Sequence, residues 1–290
     1  MEVIHTIAWM KEAAREARAQ ERVVGFVPTM GALHEGHFSL VRAAKRQCSP
    51  VVVSIFVNPK QFGPGEDLKK YPRPLEADRA ALEALGVDYL FAPRPEEMYP
   101  GGFRTSVVVE DLGDRLEGQS RPGHFRGVAT VVLKLFGIVR PHFAYFGRKD
   151  AQQARVLRQM AADLELDTQL MVCPIVREPD GLALSSRNAY LDAGERCAAT
   201  ALYRSLDAVR REVARGEREA ARLLVTLRQV IGAEPAVALD YAEIVDAETL
   251  EPVAALRRSC LVLLAAFVGK TRLIDNALIE ADADSFKIWV

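Results

Sequence analysis

The sequence predicts an α/β fold, a doubly wound parallel sheet followed by a second, smaller α+β C-terminal domain. Three observations carry this. Short apolar runs at 23–27, 51–57, 89–92, 143–146 and 170–176 have the near-continuous hydrophobicity of parallel strands buried on both faces. Helix-like stretches at 38–46, 75–85, 128–139 and 151–164 lie between them, and such alternation closes into a Rossmann-like sheet through right-handed crossovers. After Val176 the rhythm stops at the turn signal Glu178, Pro179, Asp180, Gly181, which divides the chain into domains over 1–176 and 177–290.

In chain order, Thr6 is a capping residue ahead of an Ala-, Glu- and Arg-rich helix over 6–20. The first buried strand then runs through a glycine turn into a helix start near His34. The second runs out into the turn pair Asn58-Pro59, and Gly/Pro-rich loops follow at 63–65 and 100–102. The run at 143–146 ends at Gly147, directly ahead of a helix. Past the boundary, a helical stretch over 193–231, broken around Gly216, precedes strand candidates at 240–245 and 261–268. There is no internal repeat and no low-complexity tract.

Composition narrows the function classes. A chain of 290 residues with 49% hydrophobic and 27% charged side chains is that of an ordinary globular protein. The longest apolar run, Cys260–Val268, falls far short of the roughly 20 residues that span a bilayer. A net charge of −1 builds in no dominant counterion-release term, so neither nucleic acid nor membrane is an expected partner. Cys48, Cys173, Cys197 and Cys260 share no CxxC or zinc-like spacing and read as free buried thiols of a reducing compartment. Glu2, Glu12, Glu16 and Glu21, with no sustained apolar stretch, argue against a signal or transit peptide, and the expected location is cytoplasmic.

Four segments have residue types suited to chemistry. His34 and His37 open a helix directly after a buried strand, where free N–H groups and the positive dipole end favour phosphate. The pair lacks the four-residue HExxH spacing of a zinc site. Ser185, Ser186 and Arg187, in the run Leu184 to Asn188, offer hydroxyls and a planar guanidinium suited to the outer phosphates of a nucleotide. Lys149 stands to reach phosphates, and Asp150 stands either to meet a ribose or only to cap the next helix. Asn58 and Gln61 at a strand end suit the hydroxyl and carboxylate oxygens of a small polar substrate. Basic clusters at 69–73 and 121–126 either close over phosphates or are solvated loop charge, and 63–73 is a candidate lid. Gly269-Lys270-Thr271 resembles the end of a P-loop, but Leu264 stands where that loop needs glycine.

Read together, PTMGALHEGH, FVNPKQF, HFRGVATVVLKL, FGRKDAQQ and REPDGLALSSRNAYL resemble the pantothenate synthetase family of pantoate–β-alanine ligases, over residues 23–191. The resemblance implies a nucleotidyltransferase-like enzyme with HxGH as its first signature. It would join pantoate to β-alanine through pantoyl adenylate, releasing pyrophosphate and AMP, with Mg²⁺ accompanying ATP, and it would be a homodimer. It implies phosphate contacts and catalysis by His34, His37, Lys149, Ser185, Ser186 and Arg187. ATP would also meet Pro28, Thr29, Met30, Gly147, Asp150, Val176 and Leu184. Pantoate would be bound by Asn58, Gln61, Gln153, Met30 and Arg121, with Tyr71 nearby, and Asp78 would contact the metal. Arg148 departs from the glutamate the family often has there. Two rivals differ in outcome: a nucleotidyltransferase leaves AMP on its product, and a synthetase-like tRNA-binding module shows steep salt-dependent tRNA binding.

Overall fold

The computed structural model describes residues 1–282 and 285–290. The chain divides into two compact units, Met1–Arg148 with Gln152–Pro174, and Lys149–Ala151 with Ile175–Val290.

The first unit contains β1 (Glu2–Ile4), α1 (Ile7–Ala19), β2 (Gly25–Thr29), α2 (Glu35–Lys45), β3 (Val51–Ile55), α3 (Leu75–Ala84) and β4 (Tyr89–Phe91). It continues with the short α4 (Pro95–Met98) and α5 (Glu117–Ser120), then α6 (His124–Val139), β5 (Phe143–Gly147), α7 (Ala151–Asp163) and β6 (Gln169–Cys173). The six strands form one parallel sheet in the order β1-β4-β3-β2-β5-β6, the doubly wound arrangement expected. Strand order reverses between β2 and β5, and in open α/β sheets ligands collect beyond the strand carboxyl ends at such a switch point.

The two-residue period of a strand separates the two cores. Val24, Phe26, Val52, Ala144 and Phe146 face α1, α6 and α7, while Val27, Val51, Val53 and Tyr145 face α2 and α3. Strands buried on both sides explain why the apolar runs were legible. Their ends shift for local reasons: β6 stops at Cys173 because Pro174 has no N–H to donate. β1 has only three residues, too few to make a pattern, and is defined by its register with β4. Thr6 caps α1 by accepting from Trp9 N.

The second unit packs α8 (Ala193–Ala198), α9 (Thr200–Ala214) and α10 (Ala220–Gly232) with an antiparallel sheet. Its strands β7 (Val237–Asp246), β8 (Cys260–Val268), β9 (Thr271–Asp282) and β10 (Ser285–Trp289) lie in the order β10-β9-β8-β7. The expected helix break occurs at Gly216, in left-handed backbone at φ +101°, and a second separates α8 from α9 at Ala199. Four strands replace the two expected, because β9 hides Asp275 and Asn276 among its apolar residues and so lacks an apolar run. Gly269 and Lys270 are the two turn residues of the β8–β9 hairpin, whose last pair is Val268 with Thr271. The thiols are corrected in part: Cys48 and Cys260 are buried, Cys173 is half-buried and Cys197 is exposed. Among the described residues no helix is long and apolar enough to cross a membrane.

Candidate active site

The loop from β2 to α2 is held from beneath before its histidines are reached. Thr29 Oγ1 donates to Ser54 O at 2.8 Å and accepts from Gly31 N at 3.2 Å. Gly31 lies at φ +84°, and a Cβ there would stand 3.1 Å from Asp78 Oδ2. Asp78, 4% exposed, accepts from Ala32 N and Leu33 N at 2.8 Å each. Burial raises its pKa above the usual carboxylate value, partly offset by those two amides. Asp78, the residue expected to contact the metal, thus shapes the loop through each of its carboxylate oxygens. Among the described residues no group of three or more His, Cys, Asp or Glu is arranged to hold a metal ion.

His34 is the N-cap of α2. Its Nδ1 accepts from Gly36 N at 3.2 Å, and His37 Nδ1 accepts from His34 N at 3.3 Å, a reciprocal capping box with ring centroids 4.1 Å apart. The bonds fix the tautomer. With both Nδ1 atoms accepting, the proton of each neutral ring sits on Nε2, which makes both Nε2 atoms donors beside a helix N-terminus. That arrangement suits phosphate oxygens. Pro28 is the partly exposed penultimate residue of β2, and Met30 follows its end.

Beyond β3, the 3₁₀ turn Pro59–Gln61 carries the amide pair. Asn58 is 1% exposed and its amide is saturated. Nδ2 donates to Gly127 O and Gln61 Oε1, both at 3.1 Å, while Oδ1 accepts from Lys60 N at 3.3 Å and from Tyr99 Oη at 2.8 Å. Gln61 Nε2 donates to Met30 Sδ at 3.0 Å. Beyond these bonds, a glutamine amide has one further hydrogen and one further lone pair to offer. Asn58, expected to contact pantoate, is held by four protein bonds, and Gln61 keeps a donor and an acceptor that can read a ligand. Gly127 makes the arrangement possible, since a Cβ there would lie 2.2 Å from Lys60 O.

Arg121 is engaged by the segment it was expected to close with. Its Nε and Nη2 donate to Glu66 Oε1 and Oε2 at 2.8 Å each, and Nη1 lies 3.2 Å from His124 Nε2. Burial by itself raises the Glu66 carboxyl, but the Arg121 hydrogen bonds and charge outweigh it and hold the pKa below its usual value. His124 Nδ1 donates to Gln61 O at 2.8 Å, and burial with the Arg121 charge pulls its pKa down to about 4. The 63–73 segment is thus fastened to the start of α6, with Tyr71 buried at 7% exposure against Phe62. On α7, Gln152 is buried and donates to Leu112 O and Arg115 O, whereas its neighbour Gln153 is half-buried.

In the second unit, Lys149 lies in the 3₁₀ turn Arg148–Asp150 and its carbonyl accepts from Asn276 Nδ2 at 2.8 Å. Arg148 and Lys149 are half-buried and Asp150 is exposed, with α7 following directly. Val176 and Leu184 meet across a tight hairpin, Leu184 N donating to Val176 O at 3.0 Å. Arg177 locks this hairpin to β9 through paired bonds to Asp275 of 2.7 and 2.9 Å and a bond to Gly181 O of 3.0 Å. Ser185 caps the following 3₁₀ turn Ser186–Tyr190 by accepting from Arg187 N at 3.3 Å, and Asn188 Nδ2 holds Ala183 O at 3.0 Å. Lys149 and the Ser185–Arg187 loop are therefore both tied to the strand that carries Asp275 and Asn276.

The pantoate-beta-alanine ligase family model matches residues 2–278. The chain belongs to that family. A pantothenate synthetase of Acidobacterium capsulatum is 56% identical, covering 98% of each chain. The crystal structure of pantothenate synthetase from Thermus thermophilus superposes with a TM-score of 0.91 at 48% identity, covering 95% of this chain and 98% of that one. That of the Francisella tularensis pantoate-beta-alanine ligase, complexed with beta-gamma ATP and beta-alanine, gives 0.77 at 36% identity, covering 95% and 97%.

As a pantoate-beta-alanine ligase family member, the chain carries its named motifs on residues that sequence reasoning passed over. Tyr99, Gly127, Arg177, Asp275 and Asn276 hold the motif residues in place, mostly from a distance in sequence. Gly127 and Arg177 lay inside quoted motifs but were given no role there. The one signal for Asp275 and Asn276 was a polar pair inside an apolar strand, which has to be partnered to be buried.

Proposed function

We propose that this chain is an ATP-dependent pantoate–β-alanine ligase, forming pantothenate, AMP and pyrophosphate through pantoyl adenylate. The observation that carries the reading is the pair of histidines whose rings the backbone locks as Nε2 donors at the start of α2. In the first step a carboxylate oxygen of pantoate attacks the α-phosphorus of ATP and the bond to the bridging oxygen breaks, releasing pyrophosphate. Two anions meet, so the protein must supply donors and positive charge where negative charge gathers. His34 and His37 serve this role, and Lys149, Ser185, Ser186 and Arg187 are assigned to the phosphates with them. Gly147, Asp150, Val176 and Leu184 are assigned to the adenosine side, and Thr29 shapes the loop below it.

Gln61 reads the polar end of pantoate, Gln153 contributes a second amide, and Pro28 and Met30 offer apolar surface to its methyls. In the second step the amine of β-alanine attacks the acyl carbon, loses a proton and expels AMP. No side-chain nucleophile is needed. Mg²⁺ would enter with ATP as part of the substrate and would offset the negative charge of its phosphates. Water must be excluded while the acyl phosphate exists, and the segment fastened by Glu66 and Arg121 covers that need. We further infer a homodimer, following the family resemblance, and a cytoplasmic location, following the acidic N-terminal stretch without a sustained apolar run.

Incubating the protein with ATP, Mg²⁺ and pantoate, then adding β-alanine, tests the reading by mass analysis. Pantoate-dependent pyrophosphate release followed by AMP and pantothenate is expected. A product that retains AMP after β-alanine is added overturns it.

A further inference from the structure

We propose that Tyr99 is a positioning residue for pantoate recognition, holding Asn58 in the place from which it fixes the hydrogen-bonding face of Gln61. The inference deepens the pantoate reading of Gln61 and rests on it. Tyr99 closes α4 and lies far from every quoted motif, yet its hydroxyl makes the shortest bond to Asn58, 2.8 Å to Oδ1.

The polarity of the relay follows from its fixed ends. The carbonyl of Gly127 can only accept and the amide of Lys60 can only donate, so Nδ2 of Asn58 faces Gly127 and Oδ1 faces Lys60. The Tyr99 hydroxyl, meeting an acceptor, must donate. The second Nδ2 hydrogen must then find an acceptor, and it finds Gln61 Oε1, which turns Gln61 Nε2 toward Met30. A flip at Gln61 would set Nε2 against Nδ2, two donors face to face. Gly127 and Lys60 set the direction of the Asn58 amide, and the Tyr99 bond, the shortest of its four, holds that amide in place.

The ring is held as firmly as the hydroxyl. Tyr99 packs against Phe56 and Phe103 with centroids 6.0 and 5.0 Å away, and Lys60 Nζ lies 5.0 Å from its ring centroid. Tyr99 thus grips the 58–61 turn twice, by hydroxyl on Asn58 and by ring face on Lys60. Burial pushes its pKa up to about 12, so the phenol keeps its proton across the working range.

The test is steady-state kinetics of Tyr99→Phe, Gln61→Ala and the double variant, each checked for folding by thermal melting. Tyr99→Phe is expected to raise KM for pantoate about tenfold, the scale of one lost hydrogen bond, with KM for ATP unchanged. In the Gln61→Ala background the same change is expected to add nothing to the pantoate KM, because the relay then ends on no one. Additive effects, or equal losses for ATP and pantoate, overturn the proposal and leave Tyr99 a merely structural residue. Asn58→Asp is the second variant. It still accepts from Tyr99 but turns an acceptor on Gln61, so the same pantoate-specific loss is expected, and a wild-type pantoate KM overturns the relay whether or not Tyr99→Phe folds. If Gln61→Ala alone leaves pantoate KM unchanged, the pantoate reading of Gln61 falls and takes the relay with it. A loss there without one in Tyr99→Phe removes the relay alone.

Discussion

His34 and His37 cap one helix reciprocally, the first accepting from Gly36 N and the second from His34 N, both through Nδ1. Stability and chemistry are therefore separable in one side chain. Asn is as good an N-cap as any residue, so His34→Asn should keep the thermal midpoint while removing the Nε2 donor. Turnover should fall about 10²- to 10³-fold, the scale of a lost oxyanion donor. His34→Ala should lose the same activity and about 1 kcal/mol of stability as well. The His34 and His37 losses should be less than additive if both serve one phosphate, and a folded His37→Ala enzyme with full turnover would remove the assignment.

Gly127 and Gln61 offer a second test. In Gly127→Ala the new Cβ meets backbone, Lys60 O at 2.2 Å and Gln61 Cα at 2.6 Å, so no side-chain rotation relieves it. The turn has to move, at about 1–3 kcal/mol for an overpacked site. Pantoate KM is expected to rise in this variant, as it should in Gln61→Ala, with ATP binding largely kept. Equal weakening of both substrates in Gln61→Ala counts against the placement of pantoate there.

Arg177 and Asp275 form a paired bond in which the Asp275 side chain is 1% exposed. Removing one partner leaves a buried charge behind, and Asp275→Ala should cost about 3–5 kcal/mol in urea unfolding. Arg177→Lys should not restore the paired contact, because an ammonium cannot make the planar two-point contact. A loss below about 1 kcal/mol in Asp275→Ala would show that the pair is not the clamp described.

Acid should weaken the cluster at the start of α6. His124 has a folded pKa near 4 against an ordinary 6.5, so its unfolded form takes up protons first as pH falls. Its contribution is complete above pH 6.5 and is lost progressively down to about pH 4, roughly 3 kcal/mol in all. Glu66 acts in the same direction at lower pH: its stabilisation is present above 4.5 and disappears as pH falls through its depressed folded value. Urea unfolding at about pH 7 and about pH 4.5 should show a smaller gap in His124→Asn than in the unaltered protein. Identical gaps would mean that His124 does not titrate as its burial requires.

Most of the parallel sheet was legible because its strands are buried on both sides and read as apolar runs, and because His34 with Gly36 and His37 form a local cap within four residues. The motif residues Lys149, Ser185, Ser186 and Arg187 were also visible, since loops that follow strands keep their chemistry in short stretches. Asp78, Arg121 and Asn58 were read as ligand contacts from residue type and motif alone. The structure gives each of them a protein partner that no local pattern records: two loop amides for Asp78, Glu66 for Arg121 and Tyr99 for Asn58.

Sequence by itself determined the fold class, the family and the local caps, because period, propensity and motif all act over a few residues. Only the tertiary structure decided which partners hold the polar groups of the motifs. A buried hydrogen bond must be matched donor to acceptor, and the matching partners here come from residues as far apart as Lys149 and Asn276, or Asn58 and Gly127, where no local pattern records the pairing.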